Sequence, residues 1–185
     1  SAVSFSAAPE RYPWHDTLRS ALAQQFEKLP HALLLQGRPG LGKHAFAVQL
    51  AQALLCEQPR AAVACGQCHS CRLFAAGTHP DLAGVGLVDD AKGIAVDQIR
   101  ALGDFLALRP HTSARKIVII SPAEAMNLNA ANSLLKTLEE PPEYLKFVLA
   151  TTDPQKVPVT VLSRCLQFNL KQMPAASISA HLGRV

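Results

Sequence analysis

Seven residues, Gly37-Arg38-Pro39-Gly40-Leu41-Gly42-Lys43, stand between an apolar run at 32–36 and an apolar helical pattern at 44–55. The spacing is G-x-x-x-x-G-K. Gly37, Gly40 and Gly42 let backbone N–H groups curl around phosphate oxygens, the following helix adds its positive end, and Lys43 can reach the β/γ-phosphates. A buried strand before the loop and a helix after it put the loop at the carboxyl edge of an α/β sheet, where such folds bind ligands. The rest of the chain agrees. Leu18, Leu22 and Phe26 have helical spacing within 11–26, and 81–88 reads as a strand. A helical stripe of Val96, Ile99, Leu102, Phe105 and Leu106 covers 93–108, followed by a β-branched strand at 116–120. An amphipathic helix at 128–138 stops at Pro141-Pro142, then come a strand at 147–151, a helical turn at 157–162 and a strand at 165–170. Strands alternating with helices predict a five-stranded parallel sheet covered on both faces. With 185 residues, 49% of them hydrophobic, the chain can build one full core and the start of a second unit. Its apolar runs are too short to cross a bilayer. The net charge of +4 comes from scattered residues with no basic block to mark a nucleic-acid face.

The loop departs from its pattern at one place. His44 stands where Ser or Thr would give Mg²⁺ a hydroxyl, and imidazole is a poor ligand for a hard cation. The loop therefore reads either as a nucleotide cradle or as a strand-to-helix turn that has kept only its shape. A P-loop ATPase also needs a carboxylate at the end of a neighbouring strand. Strand 116–120 runs instead into Ser121-Pro122-Ala123-Glu124, where an Asp-Glu pair would be expected at 121–122. Glu124 would have to swing back to help, and reads as a solvated acid capping a helix. With both metal positions altered, ATP hydrolysis at the chain's own site is not expected.

Cys56, Cys65, Cys68 and Cys71 form C-x8-C-x2-C-x2-C, and the fifth cysteine is Cys165. Two consecutive C-x2-C units let thiolates converge on one ion, and four sulfurs suit a structural Zn²⁺, with iron–sulfur ligation a minor alternative. Gly66, Gln67, Ser70 and Arg72 make the segment too polar for four core cysteines, and His69 reads as a surface residue. Residues 56–77 thus form an inserted zinc module. The N-terminus lacks a signal-peptide pattern, which with the cysteine cluster points to a reducing cytoplasm. A zinc-ribbon nucleic-acid binder is a weaker reading, since Arg60 and Arg72 are the only local bases and no aromatics interleave. Arg164, in Ser163-Arg164-Cys165, reads on its own chemistry as a surface arginine paired with a carboxylate.

Taken in order, the P-loop, the cysteine quartet, the run from Ala131 to Pro142 (A-N-S-L-L-K-T-L-E-E-P-P), the A-T-T-D-P-Q-K stretch at 150–156 and L-S-R-C-L-Q-F at 162–168 resemble one family. It is the bacterial DNA polymerase III clamp-loader subunits, of the AAA+ class, and the resemblance spans about residues 11–172. His44, Ser121 and Pro122 depart from the motor branch (gamma/tau) and resemble the degenerate delta-prime branch. A catalytic gamma/tau-type ATPase stays as the alternative. The resemblance implies a RecA-like AAA+ sheet over 11–172, a helical lid starting at 173–185, and a frayed terminus or tag at 1–10. The rest of the lid and a collar domain would lie beyond Val185. It implies that Arg164, framed by Ser163 and Cys165, is an arginine finger acting in trans on ATP held by a neighbouring subunit. Thr151 and Thr152 resemble the segment that reads the γ-phosphate in active relatives, with a packing role equally open. Implied partners are gamma/tau and delta subunits, with the sliding clamp and primed DNA reached through the assembled complex.

Overall fold

The computed structural model describes residues 11–171. The expectations for 1–10 and for a lid at 173–185 lie outside the described residues. The elements run α1 (Asp16–Gln24), β1 (Ala32–Gln36), α2 (Lys43–Leu55), α3 (His69–Ala75), β2 (Leu82–Val85), α4 (Val96–Arg100), α5 (Gly103–Ala107), β3 (Lys116–Ile120), α6 (Leu128–Glu139), β4 (Leu145–Thr151), α7 (Val159–Leu162) and β5 (Leu166–Asn169). Short 3-10 turns cover Pro13–His15, Phe26–Lys28, Ala123–Ala125 and Pro154–Lys156. No described helix is long and apolar enough to cross a membrane.

The sheet is wholly parallel in the order β2-β3-β4-β1-β5. Alternation along the strands divides the core in two. Leu33, Leu35, Ile117, Ile119 and Val148 meet Phe46, Leu50 and Leu54 of α2 on one face. Leu34, Val118, Ile120, Phe147 and Leu149 meet Ala131, Leu134 and Leu138 of α6 on the other. Both faces being covered explains why every residue of β3 is buried.

Four expectations need adjusting. The strand expected at 81–88 covers only Leu82–Val85. The stripe at 93–108 is two short helices. Ile94 donates its N–H to Ala125 at 2.7 Å and bridges Met126 as extended chain, so no helix can begin before Val96. β4 starts at Leu145 rather than 147, because Lys116 of β3 pairs with Leu145. The expected helix at 11–26 is a 3-10 turn, α1 and a second 3-10 turn, with Leu22 buried and Leu18 and Phe26 packed against the α2 face.

β1 lies between β4 and β5, and the chain leaves it to cross the sheet to β2. The glycine loop therefore opens at the strand-order switch point, beside the carboxyl ends of β4 and β3.

Candidate functional site

Gly42 has φ 73° and forms the N-cap of α2. A Cβ there would lie 2.6 Å from the Tyr12 ring. The segment before α1 is laid across the loop: Trp14 Nε1 and His15 Nε2 both donate to the Leu41 carbonyl, at 2.9 and 2.7 Å. Tyr12 stacks on Trp14 with ring centroids 4.7 Å apart. The loop borders a cleft of about 420 Å³ whose walls include Gly40, Gly42, Lys43, His44, Ser121 and Thr152.

Lys43 is turned onto its own loop, donating from Nζ to Gly37 O at 2.8 Å and Arg38 O at 2.7 Å. Burial lowers its pKa, and the Glu124 carboxylate opposes that shift. His44 lies in the wall of the cleft where a hydroxyl would serve magnesium, and burial lowers its pKa too. Ser121 and Pro122 follow β3, so no carboxylate occupies the two expected positions.

Glu124 does swing back, contrary to its reading as a solvated capping acid. It sits in the tight turn Ala123–Ala125. There its Oε1 accepts from the Thr152 hydroxyl at 2.7 Å and the Thr152 N–H at 3.2 Å. Its Oε2 is buried without a hydrogen-bond partner among the described residues. Burial alone would raise this carboxyl's pKa, but hydrogen bonds from Thr152 and Thr151 outweigh it and leave the value lowered. Thr152 is thus committed to a carboxylate of its own chain. The 3-10 turn that folds Glu124 back has no period for a sequence reading to find.

The four cysteines converge, with all four sulfurs within 4.8 Å of one another, a set able to hold a metal ion. Backbone N–H groups point at the sulfurs: Cys65 and Gln58 at Cys56, Gln67 and Cys68 at Cys65, and Cys71 at Cys68. Those from Gln67 and Cys68 bring the Cys65 thiol down to about 6, while burial pushes Cys71 up. His69 is exposed, as expected. α3, which was not foreseen, grows from the last two cysteines, with Cys68 as its N-cap accepting from Cys71 N.

A buried polar cluster ties this module to the sheet. His79 Nδ1 accepts from the Asp81 N–H at 3.0 Å, so Nε2 carries the proton and donates to Ser70 Oγ at 2.7 Å. Ser70 and Ser113 both donate to the Leu55 carbonyl, at 2.6 and 2.8 Å. The Ser–His–Asp grouping is therefore no nucleophile relay, because the serine proton is committed to a carbonyl and the histidine faces it with N–H. It joins α3, the end of α2, β2 and the turn at 111–113. No local pattern announces it, since its members lie up to 58 residues apart.

Arg164 follows α7 and precedes β5. Its Nη1 donates to Thr160 O at 2.6 Å and Ser163 Oγ at 3.3 Å, and its Nη2 pairs with Glu139. The carboxylate partner expected of a surface arginine is thus present. Cys165 packs against the α6-side core, and burial pushes its thiol up to about 11.

The family described as DNA polymerase III, delta subunit, matches residues 14–174. The delta' subunit of Pseudomonas aeruginosa DNA polymerase III is 46% identical over 84% of this chain and 47% of its own length. That of Escherichia coli is 38% identical over 88% of this chain and 49% of its own. The tau/gamma subunit of Haemophilus influenzae is 42% identical over 85% of this chain, but 22% of its own. A gamma-subunit-related protein of Thermotoga maritima superposes with a TM-score of 0.64 at 26% identity, covering 86% of this chain and 47% of that one. The chain spans about half the length of the delta' relatives. With a parallel five-stranded P-loop sheet of the AAA+ kind and a match running nearly from end to end, the chain belongs to the DNA polymerase III delta-subunit family of clamp-loader proteins.

Proposed function

We propose that this chain is the AAA+ part, residues 11–172, of a delta-prime-type clamp-loader subunit that hydrolyses no ATP itself and lends Arg164 to ATP bound by an adjacent motor subunit. The observation that carries the proposal is the position of Arg164 relative to its own P-loop. β1 and β5 are parallel, with Leu33 opposite Leu166 and Gln36 opposite Asn169. Arg164 lies in the turn that leads into β5, before the first paired residue Leu166 and so at the amino edge of the sheet, while Gly37 begins the loop at the carboxyl edge. The five residues of β1 lie between the two edges, roughly 16 Å. A guanidinium there cannot serve its own loop but is free to serve a neighbour's. The altered metal positions at His44, Ser121 and Pro122 point the same way, against the motor reading that the likeness to tau/gamma subunits invites.

Zinc suits the cysteine site. A tetrahedron with Zn–S of about 2.3 Å has S–S edges of about 3.8 Å. The Cys56–Cys68 and Cys65–Cys71 sulfurs stand 3.9 and 4.0 Å apart. Four thiolates leave no open position, so zinc here is structural. The gamma/tau and delta subunits are the expected partners, and the clamp and primed DNA are reached through the complex.

The test is Arg164→Ala in the full-length chain, reconstituted with its loader partners. Loss of such a finger removes on the order of 10³ in rate at the site it serves, with a smaller overall loss where several motor sites share the work. Unchanged DNA-stimulated turnover would remove Arg164 from the mechanism. Motor-like hydrolysis by the isolated full-length chain would restore the alternative.

A further inference from the structure

Glu139 occupies a place that local physics disfavours. It is the last residue of α6, where unsatisfied carbonyls make the helix end negative and repel a carboxylate. Glu140 follows it, so two acids crowd one C-terminus. A local rule broken in this way calls for a compensating partner, and Arg164, 25 residues later, supplies it.

Three contacts hold the guanidinium. The Thr160 carbonyl takes one N–H of Nη1, the Ser163 hydroxyl accepts from the same nitrogen, and Glu139 takes one N–H of Nη2. Two of these partners come from Arg164's own turn, and Glu139 is the one that ties it to a different element. An arginine has five N–H donors in a rigid plane. Among the described residues, Nε–H and one Nη2 hydrogen are uncommitted. The side chain keeps 31% of its surface exposed. The group is therefore fixed in orientation but not used up.

We propose that Glu139 is a positioning residue for the trans-acting arginine: it pins the guanidinium to the end of α6 so that its remaining donors are pre-aimed at a phosphate on the neighbouring subunit. The proposal rests on the reading of Arg164 given above. A free arginine must freeze its torsions each time a phosphate arrives, whereas a pinned one has lost that freedom already on folding.

The experiment uses the full-length chain reconstituted with its motor subunits, clamp and primed DNA, with ATP turnover as the readout and assembly checked by gel filtration. Glu139→Ala is expected to lower kcat at the site Arg164 serves between about 10- and 100-fold, the range for a misaimed catalytic group, with KM for ATP unchanged and the overall turnover reduced by no more than in Arg164→Ala. Glu139→Gln, which keeps the shape and one acceptor, should fall between Glu139→Ala and wild type. It carries the test alone where the alanine variant does not assemble. Arg164→Ala with Glu139→Ala should be no slower than Arg164→Ala alone, because the glutamate acts only through the arginine. Wild-type or faster turnover in Glu139→Ala and Glu139→Gln, with Arg164→Ala slow, would overturn the positioning role and leave the finger standing. Wild-type turnover in Arg164→Ala would overturn both, and the two failures are told apart by that variant.

Discussion

At the scale of single residues, the glycine loop shows how one atom decides what a position tolerates. Gly42 combines φ 73° with a Tyr12 ring where a Cβ would go. Gly42→Ala is expected to cost about 1–2 kcal/mol for the left-handed backbone alone. At roughly 2–4 °C per kcal/mol for a chain of this size, Tm should fall by several degrees, and by more with the ring contact added. Thermal melts of Gly42→Ala with and without Tyr12→Ala separate the two causes: the second change should recover the steric part and leave the backbone part. An unchanged Tm in Gly42→Ala would mean the loop does not hold this conformation. The glycine spacing was readable because phosphate-cradling backbone demands it residue by residue. What Tyr12 and His15 do was not, because both reach Leu41 and Gly42 from nearly thirty residues away in sequence. Glu124 teaches the same lesson. Its distance from β3 in sequence argued for a solvated acid, and a 3-10 turn brings it back onto Thr152 instead.

At the scale of elements, periodicity carried the five strands and the long helices α2 and α6, since each buries a face or a stripe. It failed where hydrogen bonds set the boundary, as at Ile94, and where a turn is organised by one buried acid. Asp81 is 0% exposed and accepts from the N–H groups of His111, Thr112 and Ser113 at 2.6, 2.7 and 2.8 Å. Burial by itself would raise its pKa, but the three N–H donors, with His79 nearby, outweigh burial and lower it. A lowered folded value means that the stabilisation is fully present above the unfolded value of about 4 and drains away as pH falls through the folded one. Asp81→Asn, which offers one acceptor oxygen to three donors, should cost about 3 kcal/mol at neutral pH. It should also flatten the acid limb of the stability profile below about pH 4. Urea unfolding midpoints at pH 7 and in steps below pH 4 check both. Equal acid sensitivity in the two proteins would show that Asp81 does not organise the 111–113 turn.

For the molecule as a whole, the question is whether the cysteine module is an ornament or part of the core. Its spacing was legible in the sequence because thiolate convergence fixes it, but its attachment was not. Phe74 of α3 is 2% exposed and lies in the same buried cluster as Phe46, Leu50 and Leu54 of α2. Ser70, between two of the cysteines, shares the Leu55 carbonyl with Ser113. Losing a metal from the proposed site would therefore release more than a loop. α3 has seven residues and an N-cap that is itself one of the four candidate ligands, too short to persist unsupported. Once it melts, the burial of Phe74 goes with it, about 2–3 kcal/mol. Chelation should strip hydrogen-exchange protection from residues 56–77 and lower Tm by roughly 5–10 °C. β1, β3 and β4 should stay protected, because their two apolar faces are filled mainly by α2 and α6. Metal content measured on the same samples ties the change to the ion. Identical protection at 56–77 with and without metal would show that packing and the His79 network hold the module by themselves. Simultaneous loss in β1, β3 and β4 would show instead that the ion is a keystone for the entire domain.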